Sequence, residues 1–134
     1  MLVAACMTPD PITVGPDSTI YDAMQMMLER DIRHLPVVDE RGELVGMLSD
    51  RDLRKFSLSF SEDDAHVKER LRARVADLAN TDLLTVSTED ELKDAIEQML
   101  ENKVGALPVV DPVESKLAGI LSYVDVLRAA SEML

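Results

Sequence analysis

The sequence predicts an α+β protein made of two β-α-β-β-α repeats, packed with approximate two-fold symmetry into one module. A Leu-Pro-Val-Val-Asp motif occurs at residues 35–39 and again at 107–111, which is a spacing of 72 positions. A glycine-led segment follows each copy: Gly-Met-Leu-Ser-Asp-Arg-Asp at 46–52 and Gly-Ile-Leu-Ser-Tyr-Val-Asp at 119–125. Because both landmarks return in the same order, the sequence indicates an internal duplication.

The composition sets limits on the class of protein. A chain of 134 residues with 46% apolar and 30% charged residues is typical of a globular domain. No apolar run reaches the ~18 residues that a membrane-spanning helix needs. The net charge of −12 argues against nucleic acid and anionic membranes as partners, since both attract clustered Lys and Arg. A single cysteine cannot form an internal disulfide, and we expect a cytoplasmic protein.

The first repeat follows from apolar periodicity. A β-branched segment at 12–14 predicts a short strand, and Asp17 or Ser18 is expected to cap a helix that ends near Arg30. Within that helix, apolar residues recur at i, i+3, i+4, i+7 and i+8, which predicts one buried stripe. Runs at 35–38 and 43–48, separated by a turn, predict an antiparallel hairpin, and a second helix is expected from Ser49 to about Phe56.

The second repeat shows the same order at nearly constant spacing. A strand is predicted at 84–86, and a Thr-Glu-Asp-Glu segment at 88–91 is interpreted as a capping box for a helix to Asn102. Strands at 107–110 and 116–121 and a closing helix at 122–133 complete the repeat. The interpreted domains are therefore repeat 1 at 1–57, a connector with a linking helix at 58–74, and repeat 2 at 75–134. The helical pattern of the linker extends over 67–78.

Each half is too small to be stable alone, because about 55 residues with three strands bury little apolar surface. We therefore expect the halves to share a core and to form two equivalent clefts. Clefts of this kind are where small molecules usually bind.

The repeated glycine-led segment carries the candidate chemistry. Each copy lies where a strand passes into a helix, and it places a serine three residues before an aspartate: Ser49 with Asp52, and Ser122 with Asp125. The hydroxyl and the first-turn amides would form a polar socket, and the carboxylate could accept two hydrogen bonds from a vicinal diol such as ribose. The alternative is a helix-capping box that needs no ligand.

The combined pattern resembles a tandem cystathionine-β-synthase-type (CBS) domain pair, known as a Bateman module. The resemblance rests on His-Leu-Pro-Val-Val-Asp at 34–39 followed by Gly-Met-Leu-Ser-Asp-Arg-Asp at 46–52, with the second copy of each, and it covers roughly 3–57 and 75–134. It implies a disc-like module, often a dimer, whose inter-repeat clefts bind AMP, ADP, ATP or S-adenosylmethionine as regulatory ligands.

By position, the resemblance assigns three sets of contacts. The ribose would be held by Ser49 and Asp52 in one cleft and by Ser122 and Asp125 in the other. Phosphates would meet Arg33 and His34, with Arg51 a weaker candidate. The adenine would be flanked by Thr13, Val14, Pro16, Thr85, Val86 and Thr88.

The two repeats differ at the phosphate positions. Gly105 and Ala106 stand where repeat 1 has Arg33 and His34, so repeat 2 has no charge to offer there. For His34, a partly buried ring that is bonded to the backbone remains an alternative to ligand contact.

The sequence offers no group that points to an enzyme. Its two histidines and one cysteine have no nucleophile or metal spacing, and there is no Gly-Lys-Ser phosphate loop, so we expect neither catalysis, nor a metal, nor a required cofactor. The leading hypothesis is a regulatory module that senses an adenosyl ligand and signals to a separate effector protein, with a homodimer expected. The rival is a ligand-free dimerisation or docking module with the same fold.

Overall fold

The computed structural model describes residues 1–58 and 67–134. Within these ranges, no helix is long and apolar enough to cross a membrane. The elements in chain order are α1 (Val3–Cys6), β1 (Thr8–Pro9), α2 (Ile20–Arg30), β2 (His34–Val38), β3 (Leu44–Ser49), α3 (Asp50–Leu58), α4 (Val67–Leu71), α5 (Val75–Leu78), β4 (Val86–Ser87), α6 (Leu92–Asn102), β5 (Ala106–Val110), β6 (Leu117–Ser122) and α7 (Tyr123–Met133).

The chain forms two compact units, and one of them combines residues from both ends of the sequence. The central unit contains Ile12–Leu83, and the terminal unit contains Met1–Pro11 together with Leu84–Leu134. The α+β class and the two repeats are confirmed. The first eleven residues, however, group with residues 84–134 of repeat 2 in space, although the sequence interpretation assigns them to repeat 1. Residues 59–66 of the expected connector at 58–74 lie outside the described residues.

The central unit is built on the predicted hairpin. Strands β2 and β3 pair antiparallel, with His34 opposite Ser49 and Leu35 opposite Leu48. The predicted strand at 12–14 is reduced to one parallel bridge, Val14 to Val37, and Asn80 bridges Met47 at the other edge. The predicted α2 stripe is buried except at its i+4 position, Met24, which is half-buried, and at its i+8 position, Leu28, which is exposed. The core consists of Val14, Ile20, Ala23, Met27, Leu35, Val37, Leu48, Leu53 and Val75.

The terminal unit has the fuller sheet, in the order β1-β6-β5-β4. Strands β5 and β6 form the second predicted hairpin, and β4 lies parallel to β5. The outer edge of β6 pairs with β1, with Thr8 opposite Ile120. Its core consists of Val3, Val86, Leu92, Ala95, Met99, Leu107, Val109, Leu121 and Ala129.

The starts of α2 and α6 differ from the prediction. Thr19, rather than Asp17 or Ser18, caps α2, and its hydroxyl accepts a hydrogen bond from the Asp22 amide at 3.1 Å. The predicted capping box at 88–91 is wrong, because Glu91 caps α6 without any side-chain bond. The Leu92 amide donates instead to the Met1 carbonyl at 2.8 Å. A distant segment therefore satisfies this helix start.

The prediction of a single linking helix at 67–78 is also wrong. The segment is divided into α4 and α5, with Arg74 in an extended conformation at the N-cap of α5. The Ile20 amide donates to the Ala73 carbonyl at 2.8 Å, and the Val75 amide donates to the Ser18 carbonyl at 2.7 Å. The backbone at the break therefore bonds to the segment before α2 instead of continuing a helix. The one-turn helix α1 at Val3–Cys6 is not predicted by the sequence analysis.

The motif glycines are explained by close packing against the protein's own backbone. A Cβ atom at Gly119 would lie 2.6 Å from the Met7 sulfur and 2.7 Å from the Thr8 carbonyl oxygen. At Gly46, the equivalent atom would lie 3.3 Å from the Ala79 Cβ. The absence of a side chain at both positions thus lets the neighbouring segment pair with the edge of the hairpin. A ligand is not required to explain either glycine.

We expect Gly119→Ala to lower the free energy of unfolding by about 2–3 kcal/mol, because backbone has to move to admit the methyl group. Gly46→Ala is the matched control and should cost less than about 1 kcal/mol, since its contacts are looser. Urea denaturation of both variants measures the difference. Equal costs would contradict the packing explanation.

Candidate functional site

The Ser49–Asp52 segment forms the turn from β3 into α3. The Asp52 Oδ2 atom accepts hydrogen bonds from the Ser49 amide and the Ser49 hydroxyl, both at 2.9 Å. In return, the Asp52 amide donates to the Ser49 Oγ at 3.1 Å. These reciprocal bonds satisfy the open amides at the start of the helix.

The same arrangement occurs where β6 passes into α7. The Asp125 Oδ2 accepts from the Ser122 amide at 2.9 Å and from the Ser122 hydroxyl at 3.0 Å, and the Asp125 amide donates to the Ser122 Oγ at 3.3 Å. The capping interpretation is therefore confirmed in both repeats. It uses only one oxygen of each carboxylate, so it does not decide what the other oxygen binds.

The second oxygen has different surroundings in the two repeats. The Asp125 Oδ1 accepts from the Thr8 hydroxyl at 3.0 Å and lies 3.6 Å from the Arg128 Nη1, and the residue is only 5% exposed. Asp52 is half-buried, and no donor within residues 1–58 and 67–134 bonds its Oδ1. The sequence analysis missed Thr8, because only the register of β1 on β6 brings it to Asp125.

His34 lies beside the first of these turns, opposite Ser49 in the hairpin. Desolvation by burial lowers the pKa of the ring, the nearby Arg33 adds to the effect, and the carboxylates of Asp52 and Asp50 oppose it. The lowered pKa favours the neutral ring at pH 7. His34 can therefore offer a hydrogen bond to a ligand but contributes little positive charge.

The two predicted phosphate-binding arginines are exposed. Arg33 lines a groove of about 430 Å³ between α2 and α3, together with Asp50 and Arg54. Arg51 lies in the first turn of α3. A second, open groove of about 730 Å³ contains Pro16 and the hairpin turn. Neither groove is lined by Ser49 or Asp52.

The predicted adenine positions vary in exposure. Thr85 is exposed, and Thr13, Pro16 and Thr88 are half-buried. Val14 and Val86 are each 5% exposed and belong to the two cores. At the two valines, contact with a base is therefore restricted to the main chain.

The described ranges contain no cluster of three or more His, Cys, Asp and Glu side chains able to hold a metal ion. The single cysteine, Cys6, donates from its thiol to the Asp125 carbonyl at 3.3 Å. Burial, followed by the negative charge of Asp125, raises the pKa of this thiol. The group is therefore a protonated, packed thiol at neutral pH.

Comparison with known proteins identifies the repeats. The CBS domain family model matches residues 3–59 and 75–132. The chain is 34% identical over 119 residues to an inosine-5'-monophosphate dehydrogenase of Methanocaldococcus jannaschii, a match that covers 89% of this chain but 21% of the dehydrogenase. It is 31% identical to the CBS domain-containing protein YhcV of Bacillus subtilis, covering 89% of this chain and 78% of YhcV.

A solved structure is similar over almost the full length of both chains. The crystal structure of CBSX2 in complex with AMP superposes with a TM-score of 0.84 at 34% sequence identity, and it covers 98% of this chain and 97% of that chain. CBSX2 is a protein of Arabidopsis thaliana. The chain spans about a fifth of the length of the dehydrogenase.

The burial of His34 should make stability depend on pH. Because its folded pKa is lowered, its contribution to stability is fully present above the unfolded pKa of about 6.5 and is lost as pH falls through the folded pKa. We expect His34→Gln to remove this loss of stability at low pH. The free energy of unfolding is measured between pH 5 and 7.5 for the wild type and the variant, with His66→Gln as the control for the other histidine. An unchanged pH profile in His34→Gln would contradict the assignment.

Proposed function

This chain belongs to the CBS domain family as a tandem pair, and on that premise we propose that it is a regulatory module that binds an adenosyl ligand. The candidates are AMP, ADP, ATP and S-adenosylmethionine, with the ribose held at the Ser49–Asp52 turn. Ser122–Asp125 is the equivalent turn of repeat 2. Support comes from CBSX2, a relative 34% identical to this chain that was crystallised with AMP. The module would signal to a separate effector protein and would act as a homodimer.

One observation in this chain carries the proposal. The capping bonds of the Ser49–Asp52 turn occupy only the Oδ2 atom of Asp52, and no described residue donates to Oδ1. A half-buried carboxylate oxygen without a partner is a strong acceptor for a ligand hydroxyl. The turn can therefore cap its helix and bind a diol at the same time.

The other contacts in the proposal have separate physical roles. Arg33 is exposed, and we assign it to the phosphates, with His34 as a neutral hydrogen-bonding group and Arg51 as a further cation. The adenine would lie against Thr13, Pro16, Thr85 and Thr88 and against the backbone of Val14 and Val86. A ligand that binds one conformation better than another then shifts the population toward it, and no catalytic step is needed.

A second candidate function is a docking or dimerisation module that binds no ligand. Both Ser-x-x-Asp turns are complete capping boxes, which this candidate explains fully. Several large apolar side chains are also exposed on the helices, including Leu28 at 75%, Leu100 at 72% and Leu127 at 62%. Exposed apolar side chains of this kind are common at protein interfaces.

Thermal melts with a nucleotide panel separate the two candidates. At a ligand concentration ~100 times Kd, binding should add about 2.7 kcal/mol of stability. At roughly 4 °C per kcal/mol, Tm should rise by about 10 °C.

We expect Asp52→Ala to remove this rise while the protein still folds. Asp22→Ala, an exposed acid in the first turn of α2, is the matched control and should keep it. A Tm rise that persists in Asp52→Ala would support capping alone at that turn, and no rise in the wild type would support the docking module.

The phosphate role of Arg33 can be tested against adenosine. Arg33→Ala should weaken AMP and ATP binding about tenfold or more, because a charge-assisted hydrogen bond is lost, and it should change adenosine binding little. Arg54→Ala is the control, since Arg54 lines the same groove but pairs with Asp50 at 3.4 Å. Titration calorimetry gives all three affinities. Equal losses for adenosine and AMP would remove the assigned role.

A further inference from the structure

The two capping aspartates occupy equivalent positions next to equivalent neighbours. In the terminal unit, β1 pairs with β6 so that Thr8 lies opposite Ile120. In the central unit, Asn80 bridges Met47, which is the residue 73 positions before Ile120. Asn80 therefore stands where Thr8 stands, each beside the strand that leads into its capping turn.

In the terminal unit, the neighbour occupies the second oxygen of the carboxylate. The Asp125 Oδ2 accepts two hydrogen bonds from Ser122, and Oδ1 accepts one from the Thr8 hydroxyl at 3.0 Å. Three of about four acceptor positions are therefore used, and the Arg128 guanidinium lies 3.6 Å from Oδ1. With 5% of the residue exposed, Asp125 has little surface to offer a ligand.

In the central unit, the equivalent residue is Asn80, and it makes no such bond to the capping aspartate. The side-chain oxygen of Asn80 accepts a bond from the Asp82 amide at 3.0 Å and so closes its own turn. Within the described ranges, nothing corresponds to the Thr8 hydroxyl on the Oδ1 of Asp52. The same motif therefore leaves one free carboxylate oxygen in repeat 1 and none in repeat 2.

This difference is large enough to affect binding. A diol at Asp125 would have to displace the Thr8 hydroxyl, whereas a diol at the Asp52 Oδ1 displaces no hydrogen bond from the described residues. The loss of one hydrogen bond to a charged group weakens binding by roughly 10- to 100-fold.

We propose that the Thr8 hydroxyl closes Asp125 to ligand, so that Asp52 alone holds the ligand diol and each chain takes one adenosyl ligand. This inference rests on the proposed function and specifies its stoichiometry. Thr8 is the residue that determines which repeat binds. It lies on the exposed surface, so it can be replaced without opening the core.

Calorimetric titration with AMP tests the stoichiometry. The wild type should bind one AMP per chain, Asp52→Ala none, and Asp125→Asn still one. Two AMP per chain in the wild type, or one AMP that survives Asp52→Ala and is lost in Asp125→Asn, would overturn the inference and leave the proposed function standing. If the wild type binds no AMP, both fail for this nucleotide.

A second variant tests Thr8 itself and does not depend on whether Asp125→Asn folds. Thr8→Val removes the hydroxyl and keeps the shape, while the largely exposed Arg128 side chain can turn toward solvent. We expect a second AMP to bind, raising the ratio from one to two. Thr81→Val, an exposed threonine near Asn80, is the matched control and should stay at one. A ratio that stays at one in Thr8→Val would show that Thr8 does not close the position.

Discussion

The outer edge of each hairpin needs a hydrogen-bonding partner, and this requirement organises the chain. Edge strands carry unpaired backbone groups, which proteins cover with another segment. The edge of β6 is covered by Thr8–Pro9, and the edge of β3 by the segment at Asn80. In each case, the covering segment lies near the start of the other repeat in the sequence. The grouping of residues 1–11 with 84–134 follows from this exchange.

The same exchange sets the chemistry beside each capping turn. The covering segment packs closely against Gly46 and more tightly against Gly119, where a Cβ atom would lie 2.7 Å from the Thr8 carbonyl oxygen. The next side chain of the covering segment is Thr8 in the terminal unit and Asn80 in the central unit. A threonine there donates to the carboxylate, and an asparagine occupied with its own turn does not. One substitution in a surface segment thus makes two copies of one motif chemically different.

Capping and ligand binding are not exclusive alternatives for a carboxylate. The cap fixes the side-chain rotamer through Oδ2, and a fixed rotamer lowers the entropic cost of binding through Oδ1. The net charge of −12 works against an anionic ligand, and the ring of His34 is held toward its neutral form by burial. Positive charge near the Asp52 turn therefore has to come from arginine, whose guanidinium stays charged when partly buried.

The duplication, the α+β class, the two hairpins, the long helices and the reciprocal caps at Ser49 and Ser122 could all be predicted from the sequence. These features depend on periodicity and on contacts within a few residues, which a local pattern records. The break at Arg74, the cap of α6 by the start of the chain and the partner of Asp125 depend on tertiary contacts. In each of these, the deciding hydrogen bond joins residues between 53 and 117 positions apart. No local pattern encodes a hydrogen bond over that distance, because such a bond forms only when distant segments pack together in the folded chain.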